Sequence, residues 1–86
     1  MEVGMKLNNV VLHHEGYVIS IADHEPTKVF GTKEIAIWKK DERSRDPKKR
    51  VGDMEIVARF VDTLESFEAA LTLAKDRIHE LVGGCG

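Results

Sequence analysis

From Val10 onward, apolar and polar residues alternate in short runs, and after Val61 the alternation gives way to a period near that of a helix. Leu64, Phe67, Leu71, Ala74, Ile78 and Leu81 recur at steps of three and four. With Ala70 and Val82 they form one stripe about 120° wide at ~100° per residue, the width of a core-facing side. The stretch from Asp62 to Val82 is therefore expected to be an amphipathic helix. Asp62 followed by Glu65 fits a capping box, and Gly83-Gly84 fits a left-handed stop. Leu73 and Ala69 point off the stripe. A heptad seam would need at least about three heptads, so packing on a sheet is the expectation.

Ahead of the helix the period is two. Val10–His14 and Tyr17–Ile21 are β-rich runs around Glu15-Gly16, which predicts a hairpin with His14 opposite Tyr17, Leu12 opposite Ile19 and Val10 opposite Ile21. Asp23-His24-Glu25-Pro26 has turn chemistry. A third strand is expected from about Lys28 to Lys39, bent or bulged at Gly31. The run KKDERSRDPKKR then breaks the pattern, and Asp46-Pro47 disfavours strand there. From Asp53 to Val61 alternation resumes, with Met54, Ile56, Ala58 and Phe60 on one side and Glu55, Val57, Arg59 and Val61 on the other.

The predicted fold class is α+β, an antiparallel four-stranded β-meander followed by one C-terminal α-helix packed on one sheet face, in the order β-β-β-β-α. Short connections favour antiparallel neighbours. The chain of 86 residues is expected to be a single domain, with mobile ends at 1–8 and 83–86 and a charged loop at 40–52. The helix is expected to cover Val10, Leu12, Ile19, Ile21, Ile35, Ile37, Ile56 and Phe60. That leaves Val11, His13, Val18, Ala36, Trp38, Val57, Arg59 and Val61 on an open face. Such a face suggests either a partner or a symmetric homodimer.

The composition, 42% hydrophobic and 33% charged, is that of a globular chain rather than a disordered one. No apolar run reaches the ~20 residues of a membrane span, and the N-terminus lacks the pattern of a secretory signal. The single cysteine, Cys85, forms no internal pair. A cytoplasmic location follows as the expectation.

The net charge of −2 conceals an asymmetry. Lys39–Arg50 holds seven basic and three acidic residues, a local +4, so the remainder of the chain carries −6. The overall acidity argues against a general nucleic-acid coat, while the local cluster leaves room for one focused anionic contact. The candidate contact residues are Trp38, Lys39, Lys40, Arg43, Arg45, Lys48, Lys49, Arg50 and Arg59. Trp38 offers a stacking platform for a nucleic-acid single strand, and the loop cations would track its phosphates. The order of four strands and a helix resembles that of Whirly and Pur-type single-strand binders, a likeness of element order that no shared motif carries.

The expected function is a small non-enzymatic binding protein for nucleic acid. The alternative is a protein-interaction module, an inhibitor or adaptor of the kind mobile elements encode, docking an acidic protein surface. Charge removal in the loop should weaken the first broadly, whereas the second should depend on a few anchors such as Trp38. No nucleophile elbow, phosphate loop or metalloprotease signature is present. His13 and His14 are adjacent on a strand and point to opposite faces, so they cannot chelate together. With His24 in a turn and His79 near the helix end, no metal or other cofactor is expected.

Overall fold

The computed structural model describes residues 8–25, 28 and 30–83; the expected mobile ends, apart from Asn8 and Gly83, and Cys85 with them, lie outside the described residues. Four strands and a helix follow in order: β1 Asn8–His14, β2 Tyr17–Asp23, β3 Lys33–Lys40, β4 Arg50–Val61 and α1 Leu64–Gly83. The strands form one antiparallel sheet in the order β1-β2-β3-β4. The fold is the expected α+β arrangement.

The first hairpin has the expected register, with Val10 opposite Ile21, Leu12 opposite Ile19 and His14 opposite Tyr17. Glu15 and Gly16 both take positive φ, 54° and 81°. A two-residue turn with both centres left-handed matches the twist of the flanking strands. In the next pairing, Ile19 lies opposite Ile37 and Ile21 opposite Ile35 on one face, while Val18 lies opposite Trp38 and Ser20 opposite Ala36 on the other.

The third strand begins at Lys33, later than the expected Lys28. Gly31 precedes it, and its role is close approach rather than a strand bend. A Cβ there would strike the Glu25 carbonyl oxygen and come within 2.6 Å of Asp23 Oδ1. The segment is closed by the Thr32 amide and hydroxyl, which donate to Glu25 Oε1 at 3.1 and 2.8 Å. The His24 amide also donates to the Thr32 carbonyl at 2.8 Å.

β4 is where the expected alternation fails. Its twelve residues run against eight of β3, with register shifts between Lys33 and Ile35, Ile35 and Ala36, and Ile37 and Lys39. Each single inserted residue reverses the side on which the following residues fall. Ile56 consequently lies opposite Ala36, away from the helix, whereas Val57, Ala58 and Val61 pack into the helix-side core. Phe60, expected under the helix, is 80% exposed and sits at φ 59°. Ile56, Val57, Phe60 and Val61 thus exchange the faces expected of them, because strict alternation assumes an unbroken ladder. Gly52, at φ 80°, lies in the third irregularity.

The helix cap lies one residue later than expected, and α1 begins at Leu64. Thr63 supplies that cap: its Oγ1 accepts from the Ser66 amide at 3.1 Å, and Ser66 Oγ accepts from the Thr63 amide at 3.2 Å. This reciprocal pair replaces the expected Asp62–Glu65 box. Ala70, Ala74 and Ile78 are buried against Ile19, Ile21, Ile35, Ile37 and Val61, with Phe67 and Leu71 packed beside them. Leu64, Leu81 and Val82, the ends of the stripe, are exposed, as is Leu73. The helix packs chiefly on β3 and β4. Val10 and Leu12 on β1 share its side of the sheet but stay 54% and 40% exposed. Arg77 ties helix to strand, donating to both Glu55 oxygens at 3.0 and 3.2 Å and to Glu80 at 3.1 Å. These carboxylates, Glu55 foremost, raise the pKa of the guanidinium.

Candidate binding surface

The face opposite the helix is not bare. His13, Val18 and Trp38 lie in one row across β1, β2 and β3. The 41–49 loop joins β3 to β4, yet its Pro47 carbonyl lies 3.1 Å from His13 Nε2 on the far edge strand. A carbonyl only accepts, so this ring nitrogen carries the proton. The loop must therefore cross β2 and β3 over this row. That crossing accounts for the complete burial of Val18 on the side away from the helix. Trp38 is half-buried, and its indole Nε1 is buried without a hydrogen-bond partner among the described residues.

The loop holds its shape through its own acids. Asp41 Oδ1 accepts from the Arg43 amide at 3.0 Å, and Asp46 Oδ1 from the Lys48 amide at 2.8 Å. Its neck is pinned by the Asp41 amide on the Lys49 carbonyl at 2.9 Å and the Lys40 amide on the Gly16 carbonyl at 3.0 Å. Carboxylates bound to backbone amides make local turns. They leave the cations free of ion pairs: none of Lys39, Lys40, Arg43, Arg45, Lys48, Lys49 and Arg50 pairs with a carboxylate among the described residues.

All of these except the half-buried Lys40 are exposed. Lys40 turns its Nζ to the Asp41 carbonyl at 3.2 Å. Trp38, Asp46, Lys48, Lys49, Arg50 and Gly52 line a shallow pocket where loop and sheet meet. Exposed Val51 follows Arg50 directly on β4, opposite Lys39, and exposed Met54 comes three residues further along the strand.

Arg59 does not join this group. It lies toward the other end of β4 and pairs with Glu34 at 3.0 Å. There His24, Glu25, Thr32, Glu34, Arg59 and Phe60 line a second open pocket of about 520 Å³. The expected site is thus divided: Trp38 lies with Lys48, Lys49 and Arg50, Lys39 falls on the helix side of β3 opposite Tyr17, and Arg59 is elsewhere.

A further cluster joins residues distant in sequence. His14 Nε2 and His79 Nε2 are 2.9 Å apart, and Glu15 adds a carboxylate so that all three donor atoms lie within 4.8 Å of one another. Two signals for it were present in the chain. The hairpin register puts His14 on the helix-covered face, and His79 directly follows Ile78 of the core stripe. What joins them is the direction in which the helix crosses the sheet, which neither pattern contains.

Comparison with models of protein families, with curated proteins and with solved structures gave no match, which leaves this geometry to carry the functional reading.

Proposed function

We propose that the protein is a non-enzymatic binding module whose basic loop, Lys39–Arg50, docks on an acidic protein surface, as an inhibitor or adaptor does. The observation that carries this reading is the loop's free positive charge beside apolar groups. Two of its three acids, Asp41 and Asp46, are occupied by backbone amides, its cations have no ion-pair partners among the described residues, and exposed Val51 directly follows Arg50. Complementary charge steers such encounters, and exposed apolar side chains anchor them.

A single nucleic-acid strand is less well served. Trp38 lies partly under the loop, and Tyr17, the aromatic residue on β2, is half-buried and packed against the helix-side core. Stacking on a sheet needs open aromatic faces. Phosphate contact by the loop alone remains the second reading, resting on the same unpaired cations.

The expected self-association belongs to the proposal as well, through β1. That strand pairs with β2 without a register shift, and Val10 and Leu12 are exposed along it. β4 is interrupted by three shifts, a form that discourages edge pairing. No helix among the described residues is long and apolar enough to cross a membrane. A cytoplasmic location is proposed with the rest, on the single cysteine.

The test compares the full chain with a Lys48→Glu, Lys49→Glu, Arg50→Glu variant in two assays. One cross-links the chain to its partners in its own host and identifies the linked residues. The other titrates short single- and double-stranded oligonucleotides while following the fluorescence of Trp38, the one tryptophan in the chain. A specific protein linked through the loop, lost in the variant, with Trp38 unmoved by either nucleic acid, is the expected result. Saturable, salt-sensitive quenching by single strands would overturn it in favour of nucleic acid.

A further inference from the structure

His14 and His79 come from the two ends of the chain, and their side chains meet on the helix side of the sheet. His14 ends β1 and Glu15 begins the following turn, while His79 lies in the last turns of α1. The two rings approach Nε2 to Nε2 at 2.9 Å, with centroids 4.9 Å apart. The Glu15 carboxylate completes a group of three donor atoms within 4.8 Å of one another. From this geometry we infer a site for a divalent transition-metal ion of the zinc class, held by His14 Nε2, His79 Nε2 and the Glu15 carboxylate.

The donor set suits that ion. Two neutral imidazoles and one carboxylate are a recognised zinc set that keeps a coordination position open, whereas calcium and magnesium prefer oxygen alone. At a metal–nitrogen distance of about 2.0–2.1 Å, a separation of 2.9 Å corresponds to a ligand–metal–ligand angle of about 90°. A tetrahedral angle needs a separation of about 3.3 Å, an opening of only ~0.4 Å. Glu15 and His79 are exposed and His14 is half-buried, so side-chain rotation can supply it.

The arrangement of neighbouring groups favours the site. His13, which could have competed, is turned to the other face by strand alternation and engaged with Pro47. Without a metal, one Nε2 must donate and the other accept, since two lone pairs or two N–H groups in opposition repel. The ion takes the place of that shared proton, which passes to Nδ1 of the donor ring, so that both rings stay neutral and offer their Nε2 lone pairs. It would link β1 and the β1–β2 turn to α1, which packs chiefly on β3 and β4. Residues 65 positions apart in the chain would thereby be joined, and an ion bound only by the folded state raises its stability.

The test is calorimetric titration of tag-free full-length protein with Zn²⁺, with Co²⁺ absorption as a second probe of the ligand set and thermal unfolding as a third readout. The expected result is one ion per chain, with a melting temperature that rises with Zn²⁺ concentration. His14→Ala and His79→Ala should each weaken binding at least tenfold, and Glu15→Gln should weaken it less. His13→Ala, His24→Ala and Cys85→Ser should leave it unchanged. Circular dichroism of the ion-free variants separates lost binding from lost folding. The inference is overturned if Zn²⁺ binds His14→Ala and His79→Ala as tightly as the parent, if Cys85→Ser removes binding, or if the parent shows no saturable site.

Discussion

The carbonyl of Pro47 accepts a hydrogen bond from His13 Nε2 at 3.1 Å, although the two residues belong to a loop beyond β3 and to the opposite edge strand. This contact carries the charged loop across the sheet and closes over Val18 and Trp38. A face that alternation alone leaves open is thereby partly covered, and the loop presents its cations outward.

Replacing His13 with Ala should loosen that crossing. The expected cost in stability is at most about 1 kcal/mol, because the bond is at the surface. Trp38 emission should shift to the red and become more accessible to acrylamide. An unchanged spectrum and quenching rate would show that the loop is held over Trp38 by something other than this bond.

Phe60 combines a left-handed backbone with an exposed ring. For an L residue that conformation costs roughly 1–2 kcal/mol, and glycine recovers it less about 0.5–1 kcal/mol of unfolded-state entropy. Phe60→Gly should therefore stabilise the fold by about 0.5–1 kcal/mol in chemical denaturation, since little apolar burial is lost. A loss of more than about 1 kcal/mol would place the ring in a structural role.

The start of the helix distinguishes two adjacent residues. Thr63→Ala removes the reciprocal bonds with Ser66 and should cost about 1 kcal/mol. Asp62→Ala removes only a favourable charge near the helix N-terminus, about 0.5 kcal/mol or less. Equal losses in urea denaturation of the two variants would contradict the Thr63 cap.

Glu25 is held below the usual carboxylate range, first by the Thr32 hydroxyl and next by Lys28, 3.3 Å away. A folded-state pKa depressed in this way stabilises the turn above the unfolded-state value. That contribution is lost as pH falls through the lower folded-state value. The Thr32 amide, which donates to Glu25, should report the titration in its NMR shift, with a midpoint below that of an ordinary glutamate. Thr32→Val should move the midpoint upward, and an ordinary midpoint in the parent chain would refute the assignment.

The element order, the first hairpin and the central helical stripe were legible because each rests on local information. Glu15-Gly16 accepts two positive φ angles, and the β-branched runs on either side set the pairing. Ala70, Ala74 and Ile78 share one face by helical geometry alone. The cluster of loop cations was equally plain, being a matter of composition.

Tertiary structure decided the rest. The four extra residues of β4 can be seen only against the eight of β3, and the one inserted between the partners of Ile35 and Lys33 moves Phe60 out and Val61 in. Whether Asp41 and Asp46 neutralise lysines or cap turns depends on backbone amides that the loop must first bring to them. His14 and His79 stand 65 residues apart, and no local pattern records the direction in which a helix crosses a sheet. The sequence by itself determined which elements form, through periodicity and turn chemistry; only packing decided which faces are covered and which distant side chains meet, because those follow from inserted residues and crossing directions that local preferences do not encode.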